Sequence, residues 1–141
     1  MRTLVWATAA FIAISVGVQA AKSRKPKPPA TVTVTEKQNN GKVALNRGDT
    51  LVVRLESNPT TGYTWKVSKC DSKILKLAGE PVFEQPVRKP PVVGAPGHQV
   101  FKFRTPAVGK TKLQLEYRRP WEKNAKPEET FTVNVEVKDR K

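Results

Sequence analysis

The side chains that most often perform covalent chemistry are scarce in this sequence of 141 residues. Cys70 and His98 are each the single residue of their type, and a reactive thiol needs a neighbouring group that activates it. Cys70 follows a strand-like run, and nothing nearby marks it as a nucleophile. One cysteine and one histidine are also too few ligands for a zinc site. The sequence predicts no enzymatic activity, no metal and no cofactor; a hydrolase that uses Cys70 is a minor alternative.

The segment Asn58-Pro59-Thr60-Thr61-Gly62-Tyr63 has a composition that favours binding. A residue before proline is biased to extended backbone, proline fixes its own φ, and glycine can take the positive φ that closes a turn. Thr60 and Thr61 are therefore expected at the tip. Because β-branched side chains have few χ1 rotamers, a partner would lose little entropy in ordering them. A merely tight turn between two strands is the other interpretation.

A second unusual segment, Arg119-Pro120-Trp121, follows a strand-like run. A tryptophan just beyond a proline, in a polar loop, is expected to be partly exposed, and Trp and Arg are enriched among interface hot spots. The alternative is that Trp121 folds back to cap the protein. Trp65 alternates with Val67, and we expect it to lie in the core.

The third segment covers residues 84–97 and is rich in proline and glycine. Proline-rich chain is stiff and extended, and Gly94-Ala95-Pro96-Gly97 at its end would let another backbone approach closely. A flexible surface loop is the alternative interpretation.

The elements that position these segments are predicted to be β-strands. Apolar and polar residues alternate with period two through most of the chain after residue 30, and no window keeps a 3.6-residue period. The predicted strands cover residues 31–35, 51–57, 63–69, 74–83, 98–104, 111–118 and 130–138. This pattern predicts an all-β domain over residues 31–141, an immunoglobulin-like antiparallel β-sandwich of about seven to eight strands.

Strand order alone makes a prediction about where the three segments lie. If each strand crosses the sandwich from end to end, successive connections alternate between the two ends. Two predicted strands separate the first segment from the second, and two more separate the second from the third. All three segments should therefore cluster at one pole.

The N-terminal region has the pattern of a secretory signal peptide over residues 1–20. Arg2 precedes an apolar run over residues 4–18, and Val18-Gln19-Ala20 offers small residues at the cleavage positions. The run is shorter than the roughly 20 residues that span a bilayer as a helix. We expect an exported protein, in a periplasm, the medium or a vesicular lumen, that is monomeric and has no stable membrane insertion after cleavage.

The charge balance suggests anionic partners. The chain has 26 basic and 12 acidic residues, a formal charge of +14. The densest basic run lies in residues 21–30, a Pro/Lys-rich arm with Lys22, Arg24, Lys25 and Lys27. Export makes nucleic acid the least expected partner. The alternative function is therefore a cationic binding module for anionic polymers or a membrane surface, with this arm as its main contact.

Residues 58–63 resemble the signature loop of the chagasin family, inhibitors of papain-like cysteine peptidases. Arg119-Pro120-Trp121 is similar to that family's third motif, and Gly94-Ala95-Pro96-Gly97 stands where its second, a Gly-x-Gly-Gly loop, is expected. The resemblance covers about residues 32–137. Pro96 departs from the motif and removes a backbone N–H that a glycine would offer.

The resemblance implies an immunoglobulin-like fold and a reversible inhibitor that pushes three loops into the active-site cleft of a papain-like peptidase. Thr60 and Thr61 would lie over the catalytic cysteine. Trp121 would stack on aromatic surface on the primed side of the cleft, with Arg119 either supporting it or pairing with a carboxylate. The second loop would contact the non-primed side. This mechanism requires no nucleophile or base in the inhibitor.

Overall fold

The computed structural model describes residues 28–87, 90 and 94–140. The predicted signal peptide and most of the predicted arm lie outside these residues. Within them the chain forms nine strands: β1 (Thr31–Val34), β2 (Gly41–Asn46), β3 (Thr50–Ser57), β4 (Thr64–Lys69), β5 (Lys76–Leu77), β6 (Val82–Glu84), β7 (Gly97–Arg104), β8 (Gly109–Arg118) and β9 (Glu129–Lys138). Two short 3-10 helices, Glu36–Gln38 and Pro59–Thr61, join some of them. None of these helices is long and apolar enough to cross a membrane.

The strands form two sheets, which confirms the predicted all-β sandwich. One sheet has the order β1-β3-β7, with β5 and β6 both paired to the far side of β7; the other has the order β2-β9-β8-β4. Most neighbours are antiparallel, but β1 runs parallel to β3 and β2 runs parallel to β9. Both parallel pairs arise because the chain changes sheet between β1 and β2, and again between β2 and β3.

The core lies between the two sheets and is built from the apolar positions of the alternating strands. Trp65 is only 4% exposed, as its pattern predicts. The strands that bury one face most completely are β3, β7, β8 and β9, and their fully buried side chains are Leu51, Val53, Leu55, Phe101, Phe103, Leu113, Leu115, Phe131, Val133, Val135 and Val137. Burial of this kind stabilises a fold by about 25 cal/mol per Å² of apolar surface.

Two parts of the strand prediction are corrected by the structure. Residues 41–46, to which the sequence pattern assigns no strand, form β2, an edge strand that buries Val43 and Leu45 against the core. The single strand predicted over residues 74–83 is divided into β5 and β6. Gly79 between them takes a positive φ of 74°, which breaks the extended backbone.

One end of the sandwich, where β3 begins and β9 ends, is held together by Asp49; we call it the base pole. The buried Asp49 carboxylate accepts hydrogen bonds from the Ala30 and Asn46 N–H groups, both at 2.9 Å, and pairs with Arg140. Burial alone would raise the pKa of Asp49, but these hydrogen bonds and the Arg140 charge outweigh it and hold the pKa below its ordinary value. Asp49 thus ties both ends of the described chain to one turn.

Candidate functional site

The opposite end of the sandwich, the loop pole, carries the three segments that the sequence singles out. Loop 1 (residues 58–63) joins β3 to β4, loop 2 (residues 85–96) joins β6 to β7, and loop 3 (residues 119–128) joins β8 to β9. Loop 1 is bonded to both of the others. Asn58 Nδ2 donates to the Gly94 carbonyl at 3.3 Å, and Arg119 Nε donates to the Thr61 carbonyl at 3.2 Å. The prediction from strand order is confirmed.

Loop 1 is folded by its own hydrogen bonds. Asn58 Oδ1 accepts from the Thr60 N–H at 3.2 Å and from the Thr60 hydroxyl at 2.6 Å. The Thr61 hydroxyl donates to the Asn58 carbonyl at 2.7 Å. Gly62 ends the short helix with φ 81°, and its N–H donates to the Pro59 carbonyl at 3.1 Å. The loop is therefore ordered before any partner arrives, which reduces the entropy lost on binding.

Thr60 and Thr61 are exposed at the tip of loop 1, as predicted. Both hydroxyl protons are already donated within the loop, to Asn58. A partner therefore meets the exposed surface of a fixed turn rather than two free hydroxyl donors.

Trp121 is 66% exposed and rests against loop 1. A Cβ added to Gly62 would overlap Cη2 of the indole and lie 3.1 Å from its Cζ2 atom. Trp121 therefore does not cap the sandwich, which was the alternative interpretation. It lies on Gly62 with most of its surface open to solvent.

An aromatic stack connects loop 3 to the core. The Arg119 guanidinium lies over the ring of Tyr63, 4.5 Å from its centroid, and Tyr63 stacks on Tyr117 at 5.3 Å. Tyr117 in turn lies 5.0 Å from Trp65, and its hydroxyl accepts a hydrogen bond from the Asn58 N–H at 3.0 Å. Cation–π and aromatic contacts of this kind contribute about 1 kcal/mol each. The stack fixes loops 1 and 3 relative to the sandwich.

Sequence reasoning missed two residues that support the loop pole, Tyr117 and Gln99. Gln99 Oε1 accepts from the Trp65 N–H at 2.9 Å, and Gln99 Nε2 donates to the Trp65 carbonyl at 3.0 Å. A side chain of one sheet thus pairs with the free backbone edge of the other. The available signal was the polar Gln99 in the alternating series that continues with Phe101 and Phe103.

The four residues singled out in loop 2 and at its end divide into two pairs. Gly94 and Pro96 are exposed, whereas Ala95 and Gly97 are buried. Gly97 is the first residue of β7, and a Cβ there would lie 2.6 Å from Cζ of Phe83. Ala95 and Gly97 therefore have positions that shape the loop, and Gly94 and Pro96 have positions that a partner can touch. Residues 88–89 and 91–93 of this loop lie outside the described part.

The cysteine and the histidine lie at opposite poles. Cys70 follows the base-pole end of β4, and its thiol donates to the Leu75 carbonyl at 3.0 Å. Burial, with a contribution from Asp71, raises the pKa of this thiol, which opposes nucleophilic activity. His98 lies near the loop-pole end of β7. Among residues 28–87, 90 and 94–140, no three potential metal-ligating side chains come together.

Comparison with known proteins identifies the family. The sequence profile described as Chagasin family peptidase inhibitor matches residues 44–135, a range that includes all three predicted motifs. The chain belongs to the chagasin family. Its members are peptidase inhibitors and not enzymes.

Individual relatives agree with this assignment. Amoebiasin-1 of Entamoeba histolytica is 36% identical over 106 residues, which cover 75% of this chain and 99% of the relative. Chagasin of Trypanosoma cruzi is 30% identical over 107 residues, which cover 74% of this chain and 96% of the relative. The crystal structure of EhICP2, a cysteine protease inhibitor from Entamoeba histolytica, superposes with a TM-score of 0.67 at 24% identity and covers 79% of this chain and 99% of that one. This superposition confirms the immunoglobulin-like fold of chagasin-type inhibitors.

Proposed function

We propose that this protein is a reversible inhibitor of papain-like cysteine peptidases and that its loop pole enters the active-site cleft. The observation that carries the proposal is the rigid junction of the three loops, with the largely exposed Trp121 seated on Gly62, in a chain of the chagasin family. A preformed projection with an exposed aromatic anchor is the kind of surface that binds a cleft tightly.

Loop 1 has a backbone that suits blocking better than cleavage. Pro59–Thr61 is helical and Gly62 is left-handed, whereas a peptidase substrate presents an extended chain to the nucleophile. Thr60 and Thr61 can therefore cover the catalytic cysteine without placing a peptide bond in position for attack. The inhibitor leaves intact, which makes inhibition reversible.

Loops 2 and 3 contact the peptidase cleft on either side of loop 1. Trp121 stacks on aromatic surface of the primed side, and Arg119 positions it by bonding to loop 1. Gly94 and Pro96 contact the non-primed side, where Pro96 offers no N–H and makes a weaker contact than a glycine would. Together the loops form an interface of about 1,600 Å² in total, the standard size for such complexes.

Titration against papain tests the proposal, with trypsin as the control peptidase. The protein from residue 21 should inhibit papain at nanomolar to low micromolar concentration and leave trypsin active. Absence of papain inhibition at micromolar protein would contradict the proposed function.

The cellular setting belongs to the proposal as well. The signal-peptide pattern supports cleavage after Ala20 and export, and the mature protein acts as a monomer without binding nucleic acid or inserting into a membrane. N-terminal sequencing of the protein recovered outside the cytoplasm should begin at Ala21, and light scattering should give the mass of one chain. A retained Met1 or a stable dimer would contradict these points.

A further inference from the structure

A cleft of about 310 Å³ opens between loop 1 and β6, in addition to the contacts that the proposed function assigns to the three loops. Pro59, Gly62 and Tyr63 form its wall on the side of loop 1, and Pro81 and Phe83 form the wall on the side of β6. We call this space the β6 cleft. The described residues that line it include no charged side chain, and the amide of Gln99 at its base is already bonded to Trp65.

The β6 cleft exists because one sheet extends beyond the other. Phe83 pairs with Gln99, so the two side chains lie on the same face. That is the inner face, since Gln99 bonds to the edge of β4, the last strand of the opposite sheet. The opposite sheet ends there, and Phe83 remains 39% exposed although it faces inward. Among the described residues, none covers this part of the inward-facing ring, so its apolar surface is available to a partner.

Phe83 is held in place in the same way as Trp121. Its ring packs on Gly97 as the indole packs on Gly62, and in each case a Cβ on the glycine would collide with the ring. Of the six large exposed apolar side chains in the described residues, four lie on β6, loop 2 or loop 3, and they are Val82, Phe83, Val87 and Trp121. Val82 alternates with Phe83 and therefore lies on the outer face of the sheet.

We propose that the β6 cleft is an additional peptidase-binding site that receives an apolar side chain from the rim of the peptidase cleft, with Phe83 as a specificity-determining residue. The inference rests on the proposed function, because a peptidase that covers loop 1 also covers Pro59 and Gly62 at the mouth of the β6 cleft. The uncharged lining selects an apolar occupant, since a charged side chain would lose its hydration there without a partner. Peptidases that differ at this rim position will therefore differ in affinity.

Hydroxyl-radical footprinting of the unmodified protein tests the contact directly. Leu77 is the matched control, because it is 37% exposed, also lies on a short strand paired to β7, and is far from loop 1. In the papain complex we expect oxidation of Phe83 to fall severalfold, together with that of Trp121, and oxidation of Leu77 to stay unchanged. Full oxidation of Phe83 in a complex that protects Trp121 would show that the peptidase does not occupy the β6 cleft. That result would overturn this proposal and leave the proposed function standing.

Substitution provides the energetic test. Phe83→Ala should raise the papain inhibition constant about tenfold, as for a moderate hot spot, and Phe83→Leu, which keeps an apolar wall, should recover most of the affinity. Leu77→Ala should change it less than about twofold. Equal effects of Phe83→Ala and Leu77→Ala would overturn the proposal. If the unsubstituted protein does not inhibit papain at all, the proposed function itself fails.

Discussion

At the scale of single residues, the inhibitory surface that we propose depends on the contact between Trp121 and Gly62. The indole is largely exposed, so it contributes little to the stability of the free protein, yet its position is fixed by the one residue type that leaves room for it. Affinity and stability are therefore separable at this position. Two substitutions follow from this separation.

Trp121→Ala should weaken papain inhibition by about 2 kcal/mol, or about 30-fold, because exposed aromatic anchors are typical hot spots. The change should be mainly in the dissociation rate, which stopped-flow or surface-based kinetics can measure. The matched control is Val108→Ala, a 49% exposed apolar residue at the base pole, which should leave both rates unchanged. A slower association rate with an unchanged dissociation rate would argue against the anchoring role.

Gly62→Ala should disrupt inhibition through Trp121. Gly62 and Gly79 have similar positive φ values of 81° and 74°, so alanine at either position carries a similar backbone cost of about 1–2 kcal/mol. A Cβ at Gly62 collides with the indole, whereas a Cβ at Gly79, which lies between β5 and β6 and outside the three loops, has no described atom within 4 Å. We expect both variants to lose similar thermal stability, and only Gly62→Ala to shift tryptophan fluorescence and lose tenfold or more in affinity. Equal affinity losses would contradict the seating of Trp121 on Gly62.

At the scale of elements, the strength of the alternating pattern decides what could be predicted. The long strands β3 and β9 each bury four alternating residues, β7 and β8 bury part of one face, and the alternation of all four is plain in the sequence. The short strand β2 has only Val43 and Leu45 as buried residues, and β6 is exposed along its whole length. The sequence pattern therefore does not predict β2, and it predicts β6 only as part of one longer strand over residues 74–83.

The same physical limit applies to the site. The residue types in loops 1 and 3 predict display and binding, because proline, glycine and tryptophan restrict the local backbone or favour an interface. Other features of the site depend on how the two sheets are placed against each other. They are the hydrogen bonds by which Tyr117 and Gln99 support the loop pole and the burial of Ala95 and Gly97. That placement is set by contacts distant in sequence, and local patterns do not contain it.

The hydrogen bonds and ion pair of Asp49, which we call the Asp49 clamp, join the start of β3 to both ends of the described chain. At the scale of elements, they predict how stability depends on pH. The native pKa of Asp49 lies below the unfolded value of about 3.9, so its contribution to stability is complete above about pH 4 and is lost as the pH falls through the native pKa. Asp49→Asn should therefore lower the free energy of unfolding at pH 7 by about 2 kcal/mol and flatten its decline in acid. Urea unfolding at pH 7 and pH 3 measures both effects.

Asp139→Asn is the control for this prediction. Asp139 lies at the same pole, but its ion pair with Arg47 is exposed and contributes little. Its substitution should leave the pH profile of stability nearly unchanged. An equally steep acid decline in the Asp49 variant and the unsubstituted protein would contradict the clamp.

At the scale of the whole molecule, the two poles separate the loops that we propose as inhibitory from the start of the described chain. Ala30 is bonded to Asp49 at the base pole, whereas loop 1 lies at the other end of β3. The eight residues of β3 span about 26 Å, at about 3.3 Å per residue. The chain that precedes Ala30 thus joins the domain far from the site that we assign to the peptidase.

Deletion of residues 21–29 separates the two functions that the sequence suggests. The shortened protein should inhibit papain within about twofold of the full mature protein, because no part of the loop pole is removed. If a cationic binding module were the main function, the deletion would abolish binding to a sulfated polysaccharide or to anionic vesicles. Neither the shortened nor the full mature protein would then inhibit papain. A large loss of inhibition on deletion would contradict the assignment of the site to the loop pole.

The central claim is that loop 1 covers the catalytic cysteine of a papain-like peptidase, and alkylation of that cysteine tests it most directly. Papain is mixed with a saturating amount of the inhibitor, and the rate of its modification by iodoacetamide is followed by mass spectrometry. We predict that modification becomes no faster than dissociation of the complex, and that Trp121→Ala, which dissociates faster, speeds it. An inhibited complex in which the cysteine is alkylated as fast as in free papain would contradict the account.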